Sequence, residues 1–318
     1  MQRTETISGV LLSSNMDLKS FYGLETSGRD ADVRLFEPEE VSDPDAIRFA
    51  VCWLPDTDAF APYPNLQMAM SIGAGVDALL GHPGLDETAM VCRVRDPHQA
   101  ELMAGYTAHE VLHVLRDFAA LKESQDRQDW APLPMAPPRD TTIAVLGNGT
   151  MGKSVTRALA ALGFTVRVAC RTIPDDPLAG VGYVAGADAV LRAAEGANIV
   201  VNVLPLTQAT ENILNARLFG RLAEGSWLVQ IGRGEHLHEM DFMAALDSGR
   251  LAGASLDVFR QEPLPADHPF WNDKRLRITP HIASDSTPSI VREQVLTSAK
   301  ELLGGSVPSL AIDRRRGY

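Results

Sequence analysis

Residues 142–158, TIAVLGNGTMGKSVTRA, decide the fold. The apolar run TIAVL reads as a strand, and the helix-forming KSVTRALAAL follows the glycines Gly147, Gly149 and Gly152. G-x-G-x-x-G is a weak signal by itself in a chain with 25 glycines. Between a strand and a helix it gains a mechanism. The first glycine makes a tight turn, the second lets the backbone approach a pyrophosphate, and the third lets helix and strand pack closely. The stretch therefore predicts a dinucleotide-binding domain. Downstream, FTVRVAC, NIVVNVL, SWLVQIG, LAGASLDVF and RLRITP continue the strand-helix alternation, which predicts a doubly wound parallel sheet with its site beyond the carboxyl ends of the strands.

Upstream, GVLLS, VRLFE, RFAVCWL, LQMAMSI and AMVCRV alternate with helical or loop stretches and predict a smaller α/β domain. His98 to Lys122 reads as one long helix, with Leu102, Met103, Tyr106, Val111, Leu112, Val114, Leu115, Phe118 and Leu121 at helical spacing. The prolines of WAPLPMAPPRD then deny helix and sheet alike and mark a crossover. The last helix, SIVREQVLTSAKELLGG after Pro288, has no strand of its own to follow and is expected to return to the first domain. The predicted architecture is α/β: a Rossmann domain, residues 103–287, inserted into a discontinuous flavodoxin-like substrate domain, residues 1–102 and 288–318.

At 318 residues the chain has room for two cores. Its net charge of -12, with a dense basic run only at Arg314, Arg315 and Arg316, argues against nucleic acid, whose binding rests on clustered cations. The start, MQRTETISGVLLSSN, has too short an apolar stretch for a signal peptide, and no window approaches the roughly 18–20 apolar residues of a membrane span, so a cytoplasmic protein with no membrane partner is expected. Cys52, Cys92 and Cys170 are scattered through apolar runs and are expected to be buried, reduced thiols. His109 and His113 lack an acidic third ligand, and no metal site is expected.

The second strand of the glycine-loop domain ends VRVACRT, with neutral Cys170 where an acidic residue would accept bonds from a ribose 2′-hydroxyl. Arg171 offers a planar donor fork suited to a 2′-phosphate and Thr172 a hydroxyl, which favours NADP(H); Asp175 and Asp176 keep NAD(H) open. Reduction of a 2-keto acid needs a hydride donor, a proton donor and cationic or backbone donors for the carboxylate. Three strand ends of one domain supply the candidates: Arg233 in IGRGE, Glu262 in DVFRQEP and His281 in TPHIAS. A carboxylate behind the histidine would fix its tautomer and raise its pKa.

These motifs, with SIGAGVD (71–77), DWAPLP (129–134), CRT (170–172), ALDSGRLAGASLDVFRQEPLP (245–265) and the terminal DRRRGY, resemble the D-2-hydroxyacid dehydrogenase family over nearly the whole chain, and within it the bacterial glyoxylate/hydroxypyruvate reductase A group. The resemblance implies an NADPH-dependent reductase in which Arg233 clamps the substrate, Glu262 pairs with His281, and His281 donates the proton. It implies that the amides around Ala74, Gly75 and Val76 bind the carboxylate in an interdomain cleft, and that Trp53 forms an aromatic wall, a core tryptophan being the plainer reading. Asp257 is expected to hold the nicotinamide carboxamide, and Leu204, Pro205, Leu206 and Thr207 to line the ribose. Thr150, Met151, Ile231 and Ser284 complete the expected cofactor contacts, and a homodimer through the second domain and its long helix is implied. Two features depart from the group: Ile173 stands where a second arginine often follows CRT, and Asn148, Thr150 and Met151 occupy loop positions where small or aliphatic residues are commoner. Phosphoglycerate or formate dehydrogenase chemistry, and a dinucleotide-sensing corepressor-like protein, are the competing functions.

Overall fold

The computed structural model describes residues 6–25 and 30–314; residues 1–5 of the opening segment and Arg315–Tyr318 of the terminal motif lie outside the described residues. The chain divides into two compact units, Met1–His98 with Asp285–Tyr318, and Gln99–Ser284.

In the first unit β1 (Ile7–Ser13), β2 (Val33–Phe36), β3 (Ile47–Trp53), β4 (Met68–Ser71) and β5 (Met90–Arg93) form a parallel sheet in the order β2-β1-β3-β4-β5, with short helices α1 (Leu18–Tyr22) and α2 (Asp77–Leu80). Strands covered on both faces need apolar side chains of both parities, which explains why residues 68–70 of β4 and the centre of β3 are continuous apolar runs. Leu11, Phe49, Met70 and Ile72 fill one side of the sheet, and Val10, Ala50, Ala69 and Val91 the other.

The second unit carries α3 (Pro97–Leu115), α4 (Phe118–Asp126), β6 (Thr142–Leu146), α5 (Thr150–Ala161), β7 (Thr165–Cys170), β8 (Gly182–Ala185), α6 (Ala189–Ala194) and β9 (Ile199–Asn202). It continues with α7 (Ala216–Phe219), β10 (Ser226–Gln230), α8 (Glu239–Asp247), β11 (Leu251–Leu256) and β12 (Leu276–Ile278). All seven strands are parallel, in the order β12-β11-β10-β9-β6-β7-β8. The winding reverses between β6 and β9, and that switch point opens a crevice at the strands' carboxyl ends. The chain then returns to the first unit as α9 (Pro288–Leu303), whose Val291, Val295 and Ala299 are fully buried beside Leu11, Leu18 and Phe49.

Three local readings need correction. The helix expected over 98–122 is two helices, because Asp117 adopts a left-handed conformation, φ 45°, and its side chain caps α4 by accepting from the Ala120 amide. β8 was not anticipated: GYVA is only four residues and half-exposed at the sheet edge, so it shows neither an apolar run nor clean alternation. Cys170 is only half-buried where it ends β7, whereas Cys52 and Cys92 are buried; all three are free thiols. Of the basic run, Arg314 donates to the carbonyls of Asp86, Glu87 and Ala89.

The sheet and α3 are joined through a buried ionic cluster. Glu110 is 2% exposed; its Oε2 accepts from Ser255 Oγ at 2.6 Å and from Arg277 Nε at 2.8 Å. His113 Nε2 must accept from Arg277 NH1 at 2.8 Å, since a guanidinium only donates. Burial works to raise the Glu110 pKa, but the hydrogen bonds from Arg277 and Ser255 and the charge of Arg277 win and hold it below the ordinary value. His113 is pushed down by burial and the same cation. Removing one partner strands the other charge, so Arg277→Met should cost about 3–5 kcal/mol in urea unfolding, and adding Glu110→Gln should recover most of it. With Arg277 present, Glu110 contributes stability above its unfolded pKa that is lost as pH falls through its lowered folded pKa. Without Arg277, burial raises the carboxyl, so the deficit should shrink as pH falls from about 8 to about 5. A pH-independent deficit would contradict this account.

Candidate active site

The glycine loop leaves β6 at the switch point. Gly147 has φ +115°, a region that disfavours side chains, and a Cβ on Gly152 would sit 2.1 Å from the Gly147 carbonyl oxygen. Gly149 caps α5 and faces open space, as a backbone that must approach a ligand requires. Thr150 is exposed and Met151 half-buried in the first turn of that helix, whose free amides and dipole favour a pyrophosphate. Arg171 and Thr172 follow β7 directly and are both exposed. The loop after β9 is braced by Thr210, whose Oγ1 donates to the Pro205 carbonyl at 2.7 Å and accepts from the Thr207 amide at 2.9 Å. Leu204, Leu206 and Thr207 are half-buried and Pro205 exposed. Ile231 is buried, and Ser284 Oγ donates to the Gln99 carbonyl at 2.9 Å. These residues fit a dinucleotide laid across the switch point.

At the ends of β10, β11 and β12 the structure gathers the other candidates. His281 Nδ1 lies 2.7 Å from Glu262 Oε2, and Glu262 Oε1 accepts from the Phe259 amide at 2.9 Å. Burial would raise the Glu262 pKa; the hydrogen bond and charge of His281, the Phe259 amide and the charge of Arg233 together hold it below the usual value. Arg233 thus acts on the same carboxylate. Its turn is tight: NH1 donates to the Gly232 carbonyl at 2.8 Å, and a Cβ on Gly234 would sit 1.9 Å from the Phe259 carbonyl carbon.

Asp257 sits beneath His281 and is 1% exposed. Its Oδ1 accepts from Thr279 Oγ1 at 2.6 Å and the Ile282 amide at 2.9 Å, and its Oδ2 from the Ala283 amide at 2.9 Å. The Asp257 carbonyl accepts from the His281 amide at 2.8 Å, which fixes a histidine backbone at φ 55°. This loop-holding task was not part of the sequence reading. Tyr106 extends the chain: the Thr279 hydroxyl already donates its hydrogen bond to the carboxylate, so at 2.7 Å the Tyr106 hydroxyl donates to Thr279, and burial raises the Tyr106 pKa. Asn202, Gln230 and His236 were also missed, although the first two leave a visible signal, a polar residue ending an apolar strand run in IVVN and SWLVQ.

In the first unit, Trp53 ends β3, packs on the core and lies so close to Gly73 that a Cβ there would be 3.0 Å from its ring. Arg93 NH1 donates to the Ala74 carbonyl at 2.9 Å and Ser71 Oγ to the Gly75 carbonyl at 2.7 Å. In trans peptides the N–H points opposite the carbonyl, so tying these two oxygens inward turns the Gly75 and Val76 amides the other way.

Comparison with known proteins gives a consistent result. Residues 108–283 match the family model described as D-isomer specific 2-hydroxyacid dehydrogenase, NAD binding domain. The chain is 37% identical over 301 residues to glyoxylate/hydroxypyruvate reductase A of Serratia proteamaculans, and 35% identical over 301 residues to that of Yersinia enterocolitica; each alignment covers 93% of this chain and 95% of the relative. A solved D-isomer specific 2-hydroxyacid dehydrogenase from Xanthobacter autotrophicus Py2, in complex with NADPH and MES, superposes with a TM-score of 0.86 at 32% identity, covering 98% of this chain and 100% of that one. An NADPH-dependent glyoxylate/hydroxypyruvate reductase from Sinorhizobium meliloti, in complex with NADP and sulfate, gives 0.87 at 28% identity, with the same coverage.

Asp257→Asn replaces one acceptor oxygen by a donor that must face a backbone N–H or the Thr279 hydroxyl. It should cost about 1–3 kcal/mol. The Ile282 and Ala283 amides should exchange hydrogen faster than those of the distant glycine loop; unchanged exchange in the 279–283 loop would show that the carboxylate does not hold it.

Proposed function

The chain belongs to the D-isomer specific 2-hydroxyacid dehydrogenase family, and from that premise we propose that it reduces small 2-keto acids with NADPH, glyoxylate to glycolate and hydroxypyruvate to glycerate. The observation that carries the reading is the 2.7 Å contact of His281 Nδ1 with Glu262 Oε2, beside Arg233. Bound NADPH supplies the hydride. Glu262, held ionised, keeps a proton on Nδ1 and stabilises the imidazolium, leaving Nε2 to give its proton to the carbonyl oxygen. Arg233 grips the substrate carboxylate and carbonyl through its donor fork. The outward amides around Ala74, Gly75 and Val76 are assigned to the carboxylate, and Trp53 beside them limits the acid to two or three carbons. Gly147, Gly149, Thr150, Met151 and Gly152 are assigned to the pyrophosphate, Leu204, Pro205, Thr207, Ile231 and Ser284 to the nicotinamide half, and Asp257 to the carboxamide as well as to the loop. Arg171 and Thr172 are assigned to the 2′-phosphate. Among the described residues no helix is long and apolar enough to cross a membrane, and we place the protein in the cytoplasm. A homodimer through the second unit is supported by exposed Leu102, Phe118, Trp130 and Met135 along α3, α4 and the proline-rich segment.

NADPH oxidation measured across glyoxylate, hydroxypyruvate, pyruvate and phosphohydroxypyruvate tests the reading: turnover of the first two should dominate, and no turnover with any of them overturns it. His281→Ala should lower that turnover by about two to four orders of magnitude while NADPH still binds, the range for loss of a general acid. Full activity in that variant would remove His281 from the mechanism. Arg171→Ala should weaken NADPH about ten- to a hundred-fold and NADH far less, because only the former loses a charge-assisted contact. A ratio of kcat/KM for the two cofactors that ignores Arg171 would put the phosphate contact elsewhere.

A further inference from the structure

His236 is fully buried in the second unit and takes no part in the proton transfer just described. It lies three residues past Arg233, at the end of a single 3-10 turn, residues Gly234–His236. Its Nδ1 receives the Arg233 backbone amide at 3.0 Å and meets Asn202 Nδ2, also at 3.0 Å. A backbone N–H can only donate, so Nδ1 is an acceptor and carries no proton. The neutral ring then has its proton on Nε2, which faces the Pro205 carbonyl at 3.3 Å. The amide orientations agree. Asn202 Oδ1 accepts from the Leu204 amide at 3.4 Å and its Nδ2 donates to Gln230 Oε1 at 2.8 Å. Gln230 Nε2 donates to the Arg233 carbonyl at 2.7 Å, and its Oε1 also accepts from the Gly232 amide at 3.3 Å. Both peptide groups of Arg233 are therefore held by buried side chains, and one of those side chains also reaches the loop after β9.

We propose that His236 is a positioning residue of the reaction: locked as the Nε2–H tautomer, it couples the backbone that presents Arg233 to the Pro205 loop that contacts the cofactor. The inference rests on the substrate role of Arg233 and the cofactor role of Pro205 given above. The two edges of the ring do different work. Nδ1 sets where Arg233 stands, and so governs the keto acid; Nε2 joins Thr210 Oγ1 in holding the Pro205 carbonyl, at 3.3 Å and 2.7 Å respectively, and so bears on the dinucleotide.

Two near-isosteric changes separate the edges. The side-chain oxygen of asparagine takes the place of Nδ1 but its amide does not reach the position of Nε2, while the glutamine amide reaches that position and leaves Nδ1 unreplaced. His236→Asn should keep KM for glyoxylate at saturating NADPH within about three-fold and weaken NADPH, titrated by its fluorescence, by about five-fold or more. His236→Gln should do the reverse, raising KM for glyoxylate by about ten-fold or more with NADPH affinity within about three-fold of the parent. Thermal melts accompany both, since a merely structural histidine predicts a lower Tm with the two constants moving together. Joint movement in both variants, or no movement in either, overturns the proposal. Should the parent protein fail to turn over glyoxylate, the functional reading falls by itself, and the NADPH titrations still decide the Pro205 half of the coupling.

Discussion

The carboxylate of Asp257 is the constraint on which the rest of the site rests. A buried carboxylate is tolerable only when it is well hydrogen-bonded, and here one hydroxyl and two backbone amides donate to it. Because all three donors come from residues 279–283, solvating the charge and shaping the loop are one event. The loop in turn sets His281 at an unfavourable backbone angle and aims its ring at Glu262. The same logic repeats along the sheet: β9 and β10 end in Asn202 and Gln230, and the residues just past β11 and β12 are Asp257 and Thr279, polar side chains with partners at the tips of apolar strands. A parallel sheet has an apolar middle and a row of such tips at one end, and here the tips gather the candidate residues.

What was legible in the sequence follows from that division. Strands buried on both faces announce themselves as apolar runs, and the glycine loop announces itself because Gly152 has no room for a Cβ and Gly147 needs a positive φ. Arg233, Glu262 and His281 were legible because each sits in a short motif just past such a run. The break at Asp117 was not, because the apolar spacing runs straight through it and only the backbone of a single residue turns it. β8 stayed hidden for the opposite reason, an edge strand with too little burial to leave a pattern. His236 leaves no mark in the sequence, and Asn202 and Gln230 show only as polar ends of apolar runs; their meaning lies in contacts across 28 and 34 residues of chain. Asp257 was seen, but the motif shows that a carboxylate is present and not how many donors it accepts.

Helix α3 contributes more than apolar cover. Tyr106 completes the hydrogen bonding of Thr279, and Glu110 anchors Arg277 two residues earlier on β12. Helix and strand are thus registered by polar contacts of defined direction, whereas the contacts of Val111 and Leu115 with the apolar core are compatible with small slides. That registration reaches the site in a few bonds, through Thr279 to Asp257 and from there to the His281 loop.

The return of α9 to the first unit has a consequence for synthesis. Val291, Val295 and Ala299 cover one face of the five-stranded sheet, and they are translated after every residue of the seven-stranded unit. On the ribosome the strands β1–β5 emerge first yet must wait, with an apolar face unsealed, while the later unit acquires all of its own chain and can close around its core. Order of emergence and order of completion are therefore inverted, and the roughly 10–100 ns of loop closure matter far less than the seconds of elongation, at about 5–20 residues per second, that separate β1 from its covering helix. The nascent chain is most exposed to aggregation and to chaperone capture in that interval, at the N-terminal sheet.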